Sequence, residues 1–357
     1  MYIQKIVLNH FRSFSTWEKA IEQQIVFVIG ANGTGKTALC EALYYGCYAR
    51  SFKTHLSREL IQFGHDHAIL KLLFSDQSGP STLHVGMNGQ KKIIKLNETN
   101  ITTAKQLLRV FPMVVLSELD MALVSGSPSE RRAFVDQYLL LADPEYATVL
   151  RKLQNLVENR NAILQKGGFH DPSFESWTRM LWQHSRVIQE QRTHALEILM
   201  NTVRQLSSPA PFSWLLAARY QTRGNLEIQF ENFWQVNVPL FVMEQRQRKT
   251  LFGAHLDDII FLFNAQPARV FASRGQQKLL VFLLKCAMVE LLKNKGEKPV
   301  FLLDDIMADF DDQRLAFVVS TLQNLGCQLF ITVAQESLFL INLFKQNQVQ
   351  KIFLDEF

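Results

Sequence analysis

"GANGTGKT", residues 30–37, decides how the rest of this chain is read. It matches G-x-x-x-x-G-K-[ST], and the flanks are right: the apolar run "QQIVFVIG" before it reads as a buried strand, and "TALCEALYYG" after it as a helix. In such a loop the backbone N–H groups of Gly30, Ala31, Asn32, Gly33, Thr34 and Gly35 wrap phosphates, Lys36 reaches the β- and γ-phosphates, and the Thr37 hydroxyl sits on Mg²⁺. A phosphate loop needs an acidic strand to complete it, and "VFLLDD" at 300–305 supplies one. Asp304 is placed to hold Mg²⁺ and Asp305 to orient or deprotonate an attacking water.

These halves stand far apart, at 36 and 304, so something is inserted between them. The first 130 residues alternate strand-like and helix-like runs, with "HAILKLLF", "STLHVGM" and "KKIIKL" divided by turn-formers, Asn88-Gly89 being a hairpin signal. Ser127, Pro128 and Glu130 read as cap, first position and box of a helix. From there the pattern is mostly helical, including "EYATVLRKLQNLVENRNAILQ" and "WTRMLWQHSRVIQEQRTHALEILMNTVRQL". Strand candidates "WLLAARYQ" and "NLEIQF" and a basic helix "PLFVMEQRQRKTL" follow, and alternation returns after Gly253. The expected division is 1–130 and 246–357 for the two parts of one head, with 131–245 as an inserted, mainly helical lobe.

Composition sets looser bounds. The 357 residues are 47% hydrophobic with a net charge of +5, which permits a nucleic-acid partner without demanding one. Cys40, Cys47, Cys286 and Cys327 form no CxxC pair and suit reduced core thiols. No leader segment is visible, and "KLLVFLLKCAMVELLKNK" is interrupted by Lys285 and Glu290, short of the ~18 apolar residues that span a membrane. The expectation is a cytoplasmic protein. Basic pairs at Arg131-Arg132, Arg151-Lys152 and Arg246, Arg248, Lys249 could track phosphates, as could Arg50, Lys53, His55 and Arg58, although most such clusters are solvated faces. His65 and His67 read as a polar turn, and the 27 phenylalanines as core.

"FASRGQQKLL", 271–280, opens an apolar helix with small and polar residues, a ready anion site in a chain that already has one. Together, Gly30 to Thr37, Ser273-Arg274-Gly275-Gln276 and Leu303 to Asp311 resemble the Walker A, signature, and Walker B with D-loop motifs of ABC-type ATPases. More narrowly, the ordered set "LNHFRSF", "GSPSERRAFVD", "LVENRNAIL", "GAHLDD" and "SRGQQKLL" resembles the RecF family of bacterial recombination-repair proteins across nearly the whole chain.

The resemblance implies an α/β fold: an ABC/SMC-type P-loop ATPase head of mixed sheets and flanking helices, with a helical lobe and without long coiled coils. It implies ATP and Mg²⁺ as ligands, an ATP-dependent homodimer, sequence-nonspecific binding of double-stranded and gapped DNA, and work with RecO and RecR to place RecA. Weak, DNA-stimulated ATP hydrolysis is implied as well. By the same likeness Ser273, Gly275 and Gln276 contact the nucleotide of a second subunit, Asp311 is the D-loop acid, and Arg12 lies near the site. Thr332 falls where transport ATPases usually have His. There are departures: Leu256 replaces a basic residue in "GAHLDD", and Ser117-Glu118-Leu119 offers no Q-loop glutamine. Two rivals stand beside this reading, a transporter ATPase subunit and a nucleotide-gated structural head that does not hydrolyse.

Overall fold

The computed structural model describes residues 2–354 apart from 77–78, 109, 111, 169–170, 211–213, 224–228, 308–309 and 345–347. The chain divides into two compact units, Met1–Asp120 with Leu206–Phe212 and Lys278–Phe357, and Met121–Gln205 with Ser213–Gln277. The lobe expected over 131–245 is thus drawn more widely by packing. The reason is local: strand Asp258–Phe263 pairs with strand Leu216–Gln221, and Arg131 forks onto Asp258 at 2.8 and 3.1 Å, which ties 246–277 to the helical unit.

In the first unit, the apolar runs that read as buried strands form a parallel sheet. Its order is Val349–Phe353, Ile25–Gly30, Gln328–Ala334, Val300–Leu303, Met113–Leu116. Strands covered on both faces carry no alternation, and residues 25–30, 300–303 and 113–116 are buried throughout. A second, antiparallel sheet runs Phe14–Ala20, Tyr2–Phe11, His67–Asp76, Gly79–Asn88, Lys92–Leu96, Thr99–Asn100. The hairpin expected at Asn88-Gly89 is present, between strands Gly79–Asn88 and Lys92–Leu96. The Asn88 side chain accepts from the N–H groups of Gln90 and Lys91 at 3.1 and 2.7 Å, and Gly89 keeps a negative φ. Helix Arg274–Asn294 is buried through most of its length, and no helix among the described residues is long and apolar enough to cross a membrane. All four cysteines are buried, and burial pushes their thiols up, Cys327 to about 12.

The second unit contains helices Pro128–Ala142, Tyr146–Lys166, Phe174–Ser207, Phe230–Val236 and Val238–Gln247. "NLEIQF" falls largely outside the described residues. At Ser127 the expected box is altered: its hydroxyl donates to the Glu130 carboxylate instead of accepting a backbone N–H, and this bond lowers the Glu130 carboxyl. The core is aromatic, with Trp182, Phe230, Phe233, Phe241 and Phe252 packed on Leu153, Leu156 and Leu181.

Buried charge pairs join the motifs of this unit. Arg160 from "LVENRNAIL" forks onto Glu244 at 3.0 and 2.5 Å, and both side chains are wholly buried. Arg192 forks onto Asp136 at 2.8 Å twice and donates to the Ala254 carbonyl at 2.6 Å. Asp257 accepts from Gln189, Tyr220 and the Arg223 N–H, while Arg132 donates to the Asp257 carbonyl. "GSPSERRAFVD" and "GAHLDD" therefore frame this unit, and the Arg131-Arg132 pair weighed as a phosphate contact is used internally.

His255 sits in this frame with its Nδ1 buried. Burial, followed by the charges of Arg132, Arg160 and Arg192, pushes its imidazole down to about 4. The unfolded chain takes the proton near the ordinary value of about 6.5, so stability contributed by neutral His255 is lost as pH falls from there toward about 4. Urea midpoints measured from pH 7 to 4.5 should fall less steeply for His255→Gln than for the wild type; parallel curves would refute this.

Candidate nucleotide site

Strand Ile25–Gly30 delivers the phosphate loop and helix Lys36–Tyr48 leaves it. Gly33 and Gly35 hold φ of 91° and 94°, a region that costs any residue with a side chain, and a Cβ at Gly35 would stand 2.7 Å from Ser13 Oγ. The loop is braced by Thr34 Oγ1 donating to the Ala31 carbonyl at 3.0 Å. Lys36 Nζ donates to the carbonyls of Gly30 and Ala31 at 2.8 and 2.9 Å, which holds the ammonium inside the loop. Asn32, Gly33, Gly35, Lys36 and Thr37 line a cavity of about 550 Å³.

The acidic strand brings its two carboxylates to the same place with different roles. Asp304 is buried, and its Oδ1 accepts from Thr37 Oγ1 at 3.1 Å and from Thr332 Oγ1 at 3.0 Å. Burial raises its carboxyl above the ordinary range, against the pull of those two hydroxyls. Asp305 is exposed, lines the cavity, and sits at φ 55°, with its N–H donating to Thr332 Oγ1 at 2.8 Å. Thr332 therefore ties both carboxylate residues to strand Gln328–Ala334. Replacing it with valine should leave binding of a nucleotide within a few fold but lower turnover about tenfold or more, because Asp305 loses its backbone anchor; unchanged turnover would count against the anchor.

A magnesium ion fits the donor set. Thr37 and Asp304 present two hard oxygens 3.1 Å apart on two rigid elements, close to the ~3.0 Å between neighbouring ligands of an octahedron with bonds of about 2.1 Å. A buried carboxylate with a raised pKa is also relieved by a cation.

Arg12 lines the same cavity, with its guanidinium forked onto buried Glu41 at 2.8 Å twice and Ser51 Oγ donating to the same carboxylate. Glu41 does not line the cavity but holds Arg12 there, a role that the sequence reading missed; a carboxylate on the phosphate-loop helix carries no signal until the fold brings Arg12 to it. The segment without a Q-loop glutamine has its own wiring. Asp304 N–H donates to the Leu116 carbonyl, Ser117 N–H to Asp120, and Asp120 pairs with Lys285 at 2.7 Å. Glu118 stands 3.8 Å from Lys278 on the same helix, Arg274–Asn294.

The signature stretch belongs to the second unit. Gln276 Oε1 accepts from Ser273 N–H at 2.8 Å and Ser273 Oγ from Gln276 N–H at 3.4 Å, a reciprocal cap with Gly275 in the first turn. Asp311 caps helix Asp312–Leu325 by accepting from Arg314 N–H at 2.9 Å and pairs with the Arg314 guanidinium at 2.7 Å. Arg151, Lys152, Arg246, Arg248 and Lys249 are exposed, as are Arg50, Lys53, His55 and Arg58. His65 stacks on His10 with centroids 3.7 Å apart, and no metal-holding acid, His or Cys cluster occurs among the described residues.

The model of the RecF/RecN/SMC N terminal domain matches residues 2–353. The DNA replication and repair protein RecF of Natranaerobius thermophilus is 30% identical over 356 aligned residues, 93% of this chain and 91% of that one. The chain belongs to the RecF family. A solved structure of the recombination mediator protein RecF-ATP in the RecFOR pathway matches this RecF-family chain with a TM-score of 0.82 at 26% identity, covering 93% of this chain and 92% of that one. The Smc head domain bound to ScpA of Pyrococcus furiosus shares the fold at 14% identity and a TM-score of 0.57, covering 99% and 94%. The fold is the α/β ABC/SMC-type ATPase head of the RecF family, as the resemblance implied.

Proposed function

We propose that this chain is a cytoplasmic ATP-dependent switch of recombinational DNA repair, a weak, DNA-stimulated ATPase. It acts at single-strand gaps with RecO and RecR to help load RecA. The observation that carries the nucleotide chemistry is the bonded set Thr37, Asp304, Thr332 and Asp305 beside the phosphate loop. The likeness to the ATP-bound RecF structure of the RecFOR pathway supports the recombination-mediator role.

Residues of this chain divide the work as follows. The N–H groups of 30–35 cradle the phosphates, and Lys36 exchanges its loop carbonyls for phosphate oxygens. Thr37 and Asp304 would hold magnesium, which would neutralise phosphate charge. Asp305 orients the attacking water and takes its proton. Ser273, Gly275 and Gln276 of a second copy close over the γ-phosphate with Asp311 beside them, so nucleotide joins two copies and hydrolysis releases them. A carboxylate one methylene shorter than the glutamate of transport ATPases makes turnover slow. DNA meets exposed basic residues such as Arg50, Arg58 and Arg151 through phosphates, without base preference.

Mass in solution tests this. Wild-type chain with ATP and Mg²⁺ should double its mass, Lys36→Ala should remain a monomer without binding ATP, and Ser273→Arg should bind ATP yet remain a monomer. Gapped DNA should raise the rate of phosphate release. A wild type that stays monomeric at saturating ATP sinks the switch, and DNA-insensitive, detergent-dependent hydrolysis would favour a transporter subunit.

A further inference from the structure

Phe63 is fully exposed, more so than any other large hydrophobic among the described residues, and it lines the cavity that holds the phosphate loop. Such exposure of a phenyl ring is unfavourable unless something covers it. The backbone beneath it is firmly built. Arg12 N–H donates to the Leu60 carbonyl and Gln62 N–H to the His10 carbonyl, each at 2.8 Å, with a bridge between Phe11 and Ile61. The turn then closes through His65 N–H on the Gln62 carbonyl at 3.1 Å, Gly64 at φ 85°, and the stacked rings of His10 and His65. The ring is therefore presented to the cavity by a fixed turn.

The cavity lining joins the phosphate loop, with Lys36, Thr37 and Asp305, to the stretch that carries Glu59, Ile61 and Phe63, with Arg12 and Lys53 also on the lining. A triphosphate held by the loop leaves a flat heterocycle to place, and Phe63 is the aromatic ring on the lining. We infer that Phe63 is the stacking platform for the nucleobase of the nucleotide that the loop holds, with Ile61 beside it. This rests on the nucleotide reading proposed above. A π face is common to all bases, so the platform supplies affinity rather than a choice among base edges.

Calorimetry on the full chain with Mg²⁺ tests it, comparing ATP with inorganic triphosphate, which has no base. Phe63→Ala should weaken ATP about tenfold or more, the scale of base–aromatic stacking, and leave triphosphate unchanged. Phe63→Trp should bind ATP as the wild type does, and its added fluorescence should be quenched by ATP and not by triphosphate. An alanine variant that binds ATP like the wild type overturns the platform, as does one that loses both ligands equally. A wild type that takes neither ligand overturns the nucleotide reading and the platform with it, and is told apart because no variant is needed to see it.

Discussion

Arg160→Ala lowers the unfolding free energy of the second unit by about 3–5 kcal/mol, because it strands Glu244 as an uncompensated buried charge. The guanidinium is held on every side. It forks onto Glu244, donates to the Thr178 and Thr250 hydroxyl oxygens at 3.0 Å each, and lies 4.8 and 4.9 Å from the ring centres of Phe174 and Phe252. Burial lowers its affinity for a proton, and Glu244 offsets only part of that. Glu244 in turn accepts from Leu251 N–H at 2.6 Å, so removing the arginine also loosens the turn that leads to Gly253. Chemical denaturation followed by tryptophan fluorescence checks this, since Trp177, Trp182, Trp214 and Trp234 all lie in the second unit. Arg160→Met with Glu244→Leu should recover most of the loss, because no charge is then left buried. A single variant within 1 kcal/mol of the wild type would show that water reaches this pair.

Asp305→Asn cuts ATP turnover about 10²- to 10⁴-fold, the usual contribution of a positioned general base, and leaves ATP-driven pairing intact. The choice of asparagine matters. Asp305 stands at φ 55°, where asparagine is among the few side chains tolerated, so the backbone and its bond to Thr332 survive. Asp305 is exposed, and its loss leaves no unpaired buried group. Phosphate release and mass in solution, measured on the same sample, should separate: no turnover, yet a persistent dimer. Turnover at the wild-type rate would remove Asp305 from the chemistry and favour a head that gates without hydrolysing.

How much of this was legible depended on the range of the interactions. Gly30 to Thr37 and Asp304-Asp305 could be read directly because their chemistry is local: a loop conformation, and a strand ending in acids. Long apolar strands were legible for the same reason. "LVENRNAIL" and "GAHLDD" were legible as family marks but not as structure, because Arg160 acquires meaning only from Glu244 and Asp258 only from Arg131. Ser273 and Gln276 fit a capping box, S-x-x-Q, which local rules contain, yet they were read for the anion site alone. Phe63 carries no sequence signal at all; a phenylalanine in a chain that has 27 of them is core until the fold leaves it outside.

The pairing of strand Ile25–Gly30 with strand Gln328–Ala334 also bears on how the chain is made. Ile3 N–H finds its acceptor on the Gln328 side chain, 325 residues later, and strand Ile25–Gly30 has as its two neighbours strands Gln328–Ala334 and Val349–Phe353, both made late. The phosphate-loop strand then spends most of synthesis with both edges open, a state prone to intermolecular strand pairing. Nascent chains should accordingly need a holding chaperone for longer than their length suggests, and their first unit should acquire protease resistance in one late step, after residue 334 has emerged.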